Sequence, residues 1–309
     1  MTAGRTDDDW SRPVVTNEQV TQTATRTPRS AAVLRNRTRV VLALVSLVGV
    51  AAFFWPFLAR PGSAVLGHSS DAPWLFALLL PLLLLLVIAE VSDGGLDARG
   101  IAMLGVLSAV AAALRPLGAG TVGFEPIWVV IILGGRALGP GFGFLLGNLS
   151  LFASALLTGG VGPWLPFQMI AAGWLGFGAG LLPGFRGRAE ALLMACYGAV
   201  TGLAYGFLLN LWFWPWASGM ATQLSFVAGA PVSENLHRWL LFNLATSLGY
   251  DIPRAIVVAL LLLFAGPPVL AALRRATRRA AFDRPITFEP ARVGTSPASG
   301  PTPASGPTR

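Results

Sequence analysis

Three polar, aromatic-rich stretches interrupt an otherwise apolar chain, and they hold most of the side chains able to do chemistry. RPLGAGTVGFEPIW carries Arg115, Glu125 and Trp128. TGGVGPWLPFQM carries Gly160, Gly162, Trp164 and Gln168. WPWASGMATQLSFVAGAPVSENLHRW carries Trp214, Trp216, Glu234, His237, Arg238 and Trp239. Aromatic faces, amides and a few charges of both signs suit recognition of a small organic molecule. They do not suit catalysis, because metal-ligand spacing, paired carboxylates, a GxSxG elbow and a His-based dyad are all missing. The lone Cys196 sits in an apolar run, and the two histidines, His68 and His237, lie far apart. Without a Walker motif the chain cannot hydrolyse ATP by that route.

Polar groups inside apolar runs are costly and each needs a reason. Asn148, Asn210 and Asn243 stand in such runs, and Gln168 lies one turn into its helix. Asp251 and Arg254 are three apart on one helical face, a spacing that predicts a structural ion pair. A proton relay would need further titratable groups at similar depth, which the other runs do not offer. In the second stretch, three glycines ahead of Pro163 and Pro166 open backbone angles closed to other residues, so amides are expected to converge on a ligand. Gln168 would then sit below a helix N-terminus, able both to donate and to accept.

The elements that position these residues are membrane helices. Of 309 residues, 54% are hydrophobic and 12% charged, about half the charge of a soluble domain. Apolar runs predict an all-α integral membrane protein of about eight spans: Val40 to Leu58, Trp74 to Ala89, Ile101 to Leu114, Pro126 to Leu138, Phe142 to Leu157, Leu165 to Leu182, Ala191 to Phe213, and Leu236 to Phe264. Residues 1–39 read as a disordered cytoplasmic arm, 40–99 as a two-helix prefix, 100–266 as a six-helix core and 267–309 as a disordered tail. The apolar run starts too late for a cleavable signal.

All 22 basic residues are arginines, and the chain is strongly basic overall. They lie in the tails and short loops, so a membrane orientation explains them better than nucleic acid does. With the amino terminus inside, Arg136, Arg186, Arg188, Arg274, Arg275, Arg278 and Arg279 are cytoplasmic, both termini are inside, and the three polar stretches face outward. Tryptophans at a membrane surface also form an ordinary interfacial belt, but the cytoplasmic ends of the core spans carry no matching set.

Small residues recur every four positions: Gly105, Ala109, Ala113; Gly139, Gly143, Gly147; Ala172, Gly176, Gly180; and Gly198, Gly202, Gly206. Such stripes let helix backbones approach closely, within one chain or between two.

The segment GRALGPGFGFLLGNLSLFASALLTGGVGPWLPFQMIAAGWLGFGAG, Gly135 to Gly180, resembles the core of the substrate-binding S component of energy-coupling factor (ECF) vitamin transporters. The resemblance spans Gly100 to Phe264 and leaves the first two helices outside the usual six-helix unit. It implies capture of a vitamin-like substrate by loops after the first, third and fifth core helices; Asn210, Trp214, His237 and Asn243, singled out by their own polarity or place on the outer face, complete the expected lining. It implies as partners a transmembrane T component and two ABC-type ATPases, which use the ATP; this chain itself needs no cofactor. The family's first core helix docks on the T component through an Ala-x-x-x-Ala stripe, matched here by Ala109 and Ala113 and extended by Gly105. The metal-transporting branch resembles His-rich amino-terminal ligand sets that this chain lacks. Stacking on Trp128, Trp164 and Trp214 suits a flat, bulky ligand, and a cobalamin-like corrinoid is the expected substrate. Two other readings compete: an ion-coupled secondary transporter, which would want an inverted repeat and more buried carboxylates, and a membrane scaffold whose tryptophans are only a belt.

Overall fold

Glycine and proline punctuation cuts the apolar chain into helices. In the computed structural model the described residues are 36–58, 80–81, 83–85, 88, 96, 98–118, 121–217 and 222–279. The amino-terminal helix α1 (Asn36–Phe53) is followed by a short turn of helix, α2 (Trp55–Leu58). The core comprises α3 (Ala98–Leu114, continued by a 3-10 turn Arg115–Gly118), α4 (Ile127–Leu138), α5 (Pro140–Thr158), α6 (Leu165–Leu181), α7 (Arg188–Ala217), α8 (Val232–Thr246) and α9 (Leu248–Phe264). A last helix, α10 (Gly266–Arg279), closes the described chain. No strand occurs among the described residues. The expected second span, Trp74 to Ala89, lies mostly outside them, as do most of the arm and the end of the tail.

Three helical stretches are long and apolar enough to cross a bilayer: Ala98–Gly118, Pro140–Thr158 and Arg188–Ala217. A fourth is reached if α8 and α9 count as one span broken by a bend of 68°. Leu42–Phe53, Ile127–Leu138 and Leu165–Leu181 are apolar but shorter. The described residues thus give three or four candidate spans where the sequence suggests eight. The expected single span from Leu236 to Phe264 is two helices, broken at Ser247. Pro253 lacks the N–H that would bond the Gly249 carbonyl, which weakens the helix just after the break. The tail also begins later than its polarity suggests, because α10 covers residues 266–279. Leu270 and Leu273 pack that helix on the core, and Pro267 and Pro268 suit its first turn.

Packing rests on the small-residue stripes. The tightest pairs are α5 with α6 and α7 with α9. A side chain added at Gly143 would collide with the Gly176 carbonyl, one at Gly147 with the Ala172 carbonyl, and one at Gly180 with the Pro140 backbone. On α7, Gly198 faces Leu262 and Val258, and Gly202 faces the Ala255 backbone. Lipid gives apolar helices no hydrophobic reason to associate, so this close approach and its van der Waals contact hold the bundle. Gly139, at φ 100°, turns α4 directly into α5 without a loop.

The stripe on α3 differs. Gly105, Ala109 and Ala113 are exposed, and nothing lies within 4 Å of the side-chain position at Gly105. The prefix helix α1, in contrast, is bound to the core. Trp174 donates its indole N–H to the Ser46 hydroxyl at 2.9 Å, and the Trp55 indole N–H donates to the Trp212 carbonyl at 3.0 Å. Phe53 packs edge-on to Phe167 (5.2 Å), which stacks on Trp212 (4.4 Å, 3° between planes).

At the end of the bundle where α7 begins, Glu190 joins three elements. It accepts from Arg136 Nε on α4 at 2.8 Å, and from Arg274 on α10 at 2.7 and 2.8 Å. Arg136 also donates to the Leu182 and Pro183 carbonyls after α6. Arg274 lies beyond the candidate spans, and its hydrogen bond to Glu190 holds the guanidinium above its ordinary pKa.

Candidate ligand pocket

At the other end of the bundle six elements splay apart around a cavity of about 430 Å³. The 3-10 turn after α3 supplies Arg115, and the entry to α4 supplies Glu125 and Trp128. The first turn of α6 supplies Gln168. From α7 come Tyr205, Leu209, Asn210 and Phe213, and α8 adds Phe242 and Thr246. The start of α9 brings Tyr250, Asp251 and Arg254.

One wall is a satisfied charge network. Arg254 donates through Nε to Glu125 at 2.7 Å, and through Nη1 to Asp251 at 2.8 Å and the Gly202 carbonyl at 3.0 Å. Glu125 also accepts the Trp128 indole N–H at 2.6 Å and the Tyr250 hydroxyl at 3.3 Å. Ser247 donates its hydroxyl to Asp251. The guanidinium carbon of Arg254 lies 5.4 Å from the Tyr205 ring centroid and 5.0 Å from that of Tyr250. Cation–π attraction and hydrogen bonds together compensate charges withdrawn from water. Two glycines make room for this wall. Gly206 leaves the space that the Asp251 carboxylate fills. Gly123, at φ 74°, lies where any side chain would strike the backbone between Pro253 and Arg254.

The rest of the lining is less committed. Arg115 donates from Nη2 to the Gln168 side-chain oxygen at 3.2 Å. Asn210 donates to the Asn243 side-chain oxygen at 2.9 Å, and Asn243 donates in turn to the Trp239 carbonyl at 2.8 Å. This amide chain ties α7 to α8 and leaves the Asn210 side-chain oxygen without a protein donor among the described residues. Trp128 and Tyr205 pack ring to ring at 4.3 Å, and Phe213 adds an apolar surface.

Of the residues expected from the sequence, Arg115, Glu125, Trp128, Gln168 and Asn210 meet in this cavity, with fully buried Asn243 directly behind Asn210. The other five lie outside its lining. Trp164 is 43% exposed and donates its indole N–H to the Gly160 carbonyl, folding back over its own loop. Gly162 is buried beneath that indole, and the Gly160 N–H closes α5 by donating to the Ala155 carbonyl at 2.9 Å. These glycines end one helix and seat an aromatic ring; their amides do not converge on the cavity. Trp214 is fully buried among Phe57 and Phe226, its indole N–H donating to Leu224. His237 lies on the exposed face of α8. Asp251 and Arg254 form the ion pair their spacing predicts, but they also line the cavity. Tyr205, Leu209 and Phe213 are lining residues absent from the sequence reading, although their four-residue spacing on α7 marks a single helical face.

Helices too apolar for water, arranged around a chamber of polar and aromatic side chains at one end, define a membrane protein with room for a small solute. The family model described as "ECF transporter, substrate-specific component" matches residues 99–264, and the chain belongs to that family. It is therefore a substrate-binding subunit of an ECF-type importer, a transport component and not an enzyme, and membership implies association with a T component and ATPases. Neither a curated protein nor a solved structure matches it.

Proposed function

We propose that the cavity between Arg115, Trp128, Gln168 and Asn210 is the capture site of this importer subunit, opening to the outside of the cell membrane. The observation that carries the reading is convergence: six elements bring uncommitted polar groups and aromatic faces to one chamber, as small-molecule sites require. The arginines support the orientation. Arg99, Arg136, Arg186, Arg188, Arg274 and Arg275 all lie at or beyond helix ends remote from the cavity, so the positive-inside rule turns the cavity outward and both termini inward.

The volume, about 430 Å³, lies in the range for drug-sized ligands. It favours a micronutrient of one or two rings over the corrinoid expected from the sequence, since a corrin is a four-ring macrocycle with several amide arms. Trp128, Tyr205 and Phe213 would hold such rings by stacking and edge contact. The exposed stripe Gly105, Ala109, Ala113 on α3 is the surface for the T component: unlike the other stripes it has no partner helix against it within the described chain.

Reconstitution with a T component and two ATPases tests both assignments. Gln168→Ala and Phe213→Ala should lower ligand affinity about tenfold or more while assembly is preserved. Ala109→Trp should leave capture intact and abolish ATP-driven uptake. Normal assembly of the Ala109→Trp protein would remove α3 as the docking face, and unchanged capture by both pocket variants would remove the cavity as the site.

A further inference from the structure

Charge pairing divides the cavity unequally. Arg254 is matched by Glu125 and Asp251, and all three make further hydrogen bonds within the protein. Arg115 has no carboxylate within ion-pair distance among the described residues; its hydrogen bond is to the neutral Gln168 amide at 3.2 Å. The amide nitrogen of Gln168 also has no protein acceptor among them. One guanidinium and one amide, both rich in donors, therefore line a cavity whose two carboxylates, Glu125 and Asp251, are both taken up by Arg254. A guanidinium held in a partly desolvated chamber is costly unless a counter-charge completes it, and its planar fork matches carboxylate and phosphate oxygens.

We infer that the substrate carries an anionic oxygen group, a carboxylate or a phosphate, received by Arg115 and Gln168 at one end of the cavity, with its rings lying towards Trp128, Tyr205 and Phe213. The inference rests on the cavity being the capture site and adds the charge class of what it captures. The Glu125–Arg254–Asp251 wall sets two carboxylates against one guanidinium, a net charge of −1, so it directs the ligand's anionic end away from itself and towards Arg115, and Asn210 presents an acceptor to a donor on the ring portion.

The test uses the purified full chain in lipid nanodiscs and follows its thermal unfolding. A bacterial small-molecule extract is split at pH 7 on a strong anion exchanger into a retained pool and a flow-through pool, and each is titrated against the protein. A ligand that binds only the folded state raises the unfolding temperature. The retained pool should stabilise the wild type and the flow-through pool should not. Arg115→Gln should need about 10- to 100-fold more of the retained pool for the same shift, the range for losing a charge-assisted bond. Arg115→Lys should fall between the two. Gln168→Glu supplies an internal counter-ion beside Arg115, so it should fold at least as well as the wild type and lose the response.

Stabilisation by the flow-through pool, equal in wild type and Arg115→Gln but lost in Phe213→Ala, overturns the anion assignment and leaves the capture site standing. A retained-pool response undiminished in Arg115→Gln and Gln168→Glu also overturns it. If neither pool stabilises the wild type, the capture-site reading fails and the inference fails with it.

Discussion

Glu125 shows how one side chain links the stability of this fold to the shape of its cavity. It accepts from Arg254, Trp128 and Tyr250, three residues on two helices, and so fixes an aromatic face and a charged wall together. Arg254 and Asp251 are 5% and 1% exposed, so their pairing exchanges a large desolvation cost for Coulomb attraction and hydrogen bonds. Removing one member leaves an uncompensated buried charge. Arg254→Met should destabilise by about 3–5 kcal/mol, whereas adding Asp251→Asn and Glu125→Gln to it should recover at least half of that loss. Unfolding of the single and triple variants in one detergent checks this, and a triple variant no more stable than Arg254→Met would show that packing dominates. Trp164 illustrates the opposite case. Its indole bonds its own loop and is 43% exposed, so Trp164→Ala should change ligand affinity far less than Gln168→Ala, read by the same binding titration.

Between elements, glycine has two unlike jobs, and substitution separates them. Gly143 lies where the α5 and α6 backbones nearly touch, so Gly143→Val must push the helices apart and should cost about 1–3 kcal/mol or more. Gly105 faces open space, so Gly105→Val should change the stability of the isolated subunit by less than about 0.5 kcal/mol while weakening the complex with the T component. Thermal unfolding of both variants, beside co-purification of the second, decides the point. Here lies much of what the sequence could convey. The four-residue period identifies every stripe, but the period is the same whether the stripe meets a neighbouring helix or another protein. The apolar runs locate the helices, yet Leu236 to Phe264 reads as continuous because Ser247 and Gly249 barely interrupt it. The α10 helix is hidden by its arginines, since only Leu270 and Leu273 mark its packed face. Arg115, Glu125, Trp128 and Gln168, which line one cavity, were legible as candidates because polar groups between apolar runs stand out. Tyr205 and Phe213 were not, because inside an apolar helix they look like any core residue. Trp214 misled for a related reason: its N–H finds the Leu224 carbonyl in its own loop, a pairing that no residue type announces.

For the whole molecule, the two ends differ, and the proposed orientation gives each a role in a membrane. One end carries the open cavity; the other joins α4, the end of α6, α7 and α10 through Glu190, Arg136 and Arg274. An outward cavity can meet substrate before any ATP is used, and the basic end then faces the compartment that holds the ATPases. The reverse orientation would place an arginine-rich surface outside, against the charge bias that governs insertion. Single cysteines distinguish these arrangements, provided Cys196, which is exposed, is first replaced by serine. Val122 stands in the loop beside the cavity at 62% exposure, and Phe185 stands in the loop before α7 at 50%. In intact cells a membrane-impermeant maleimide should label Val122→Cys and spare Phe185→Cys until the membrane is permeabilised. Labelling of Phe185→Cys alone would invert the topology and leave the cavity facing the cytoplasm, where it could release a substrate but could not be the place where one is first captured.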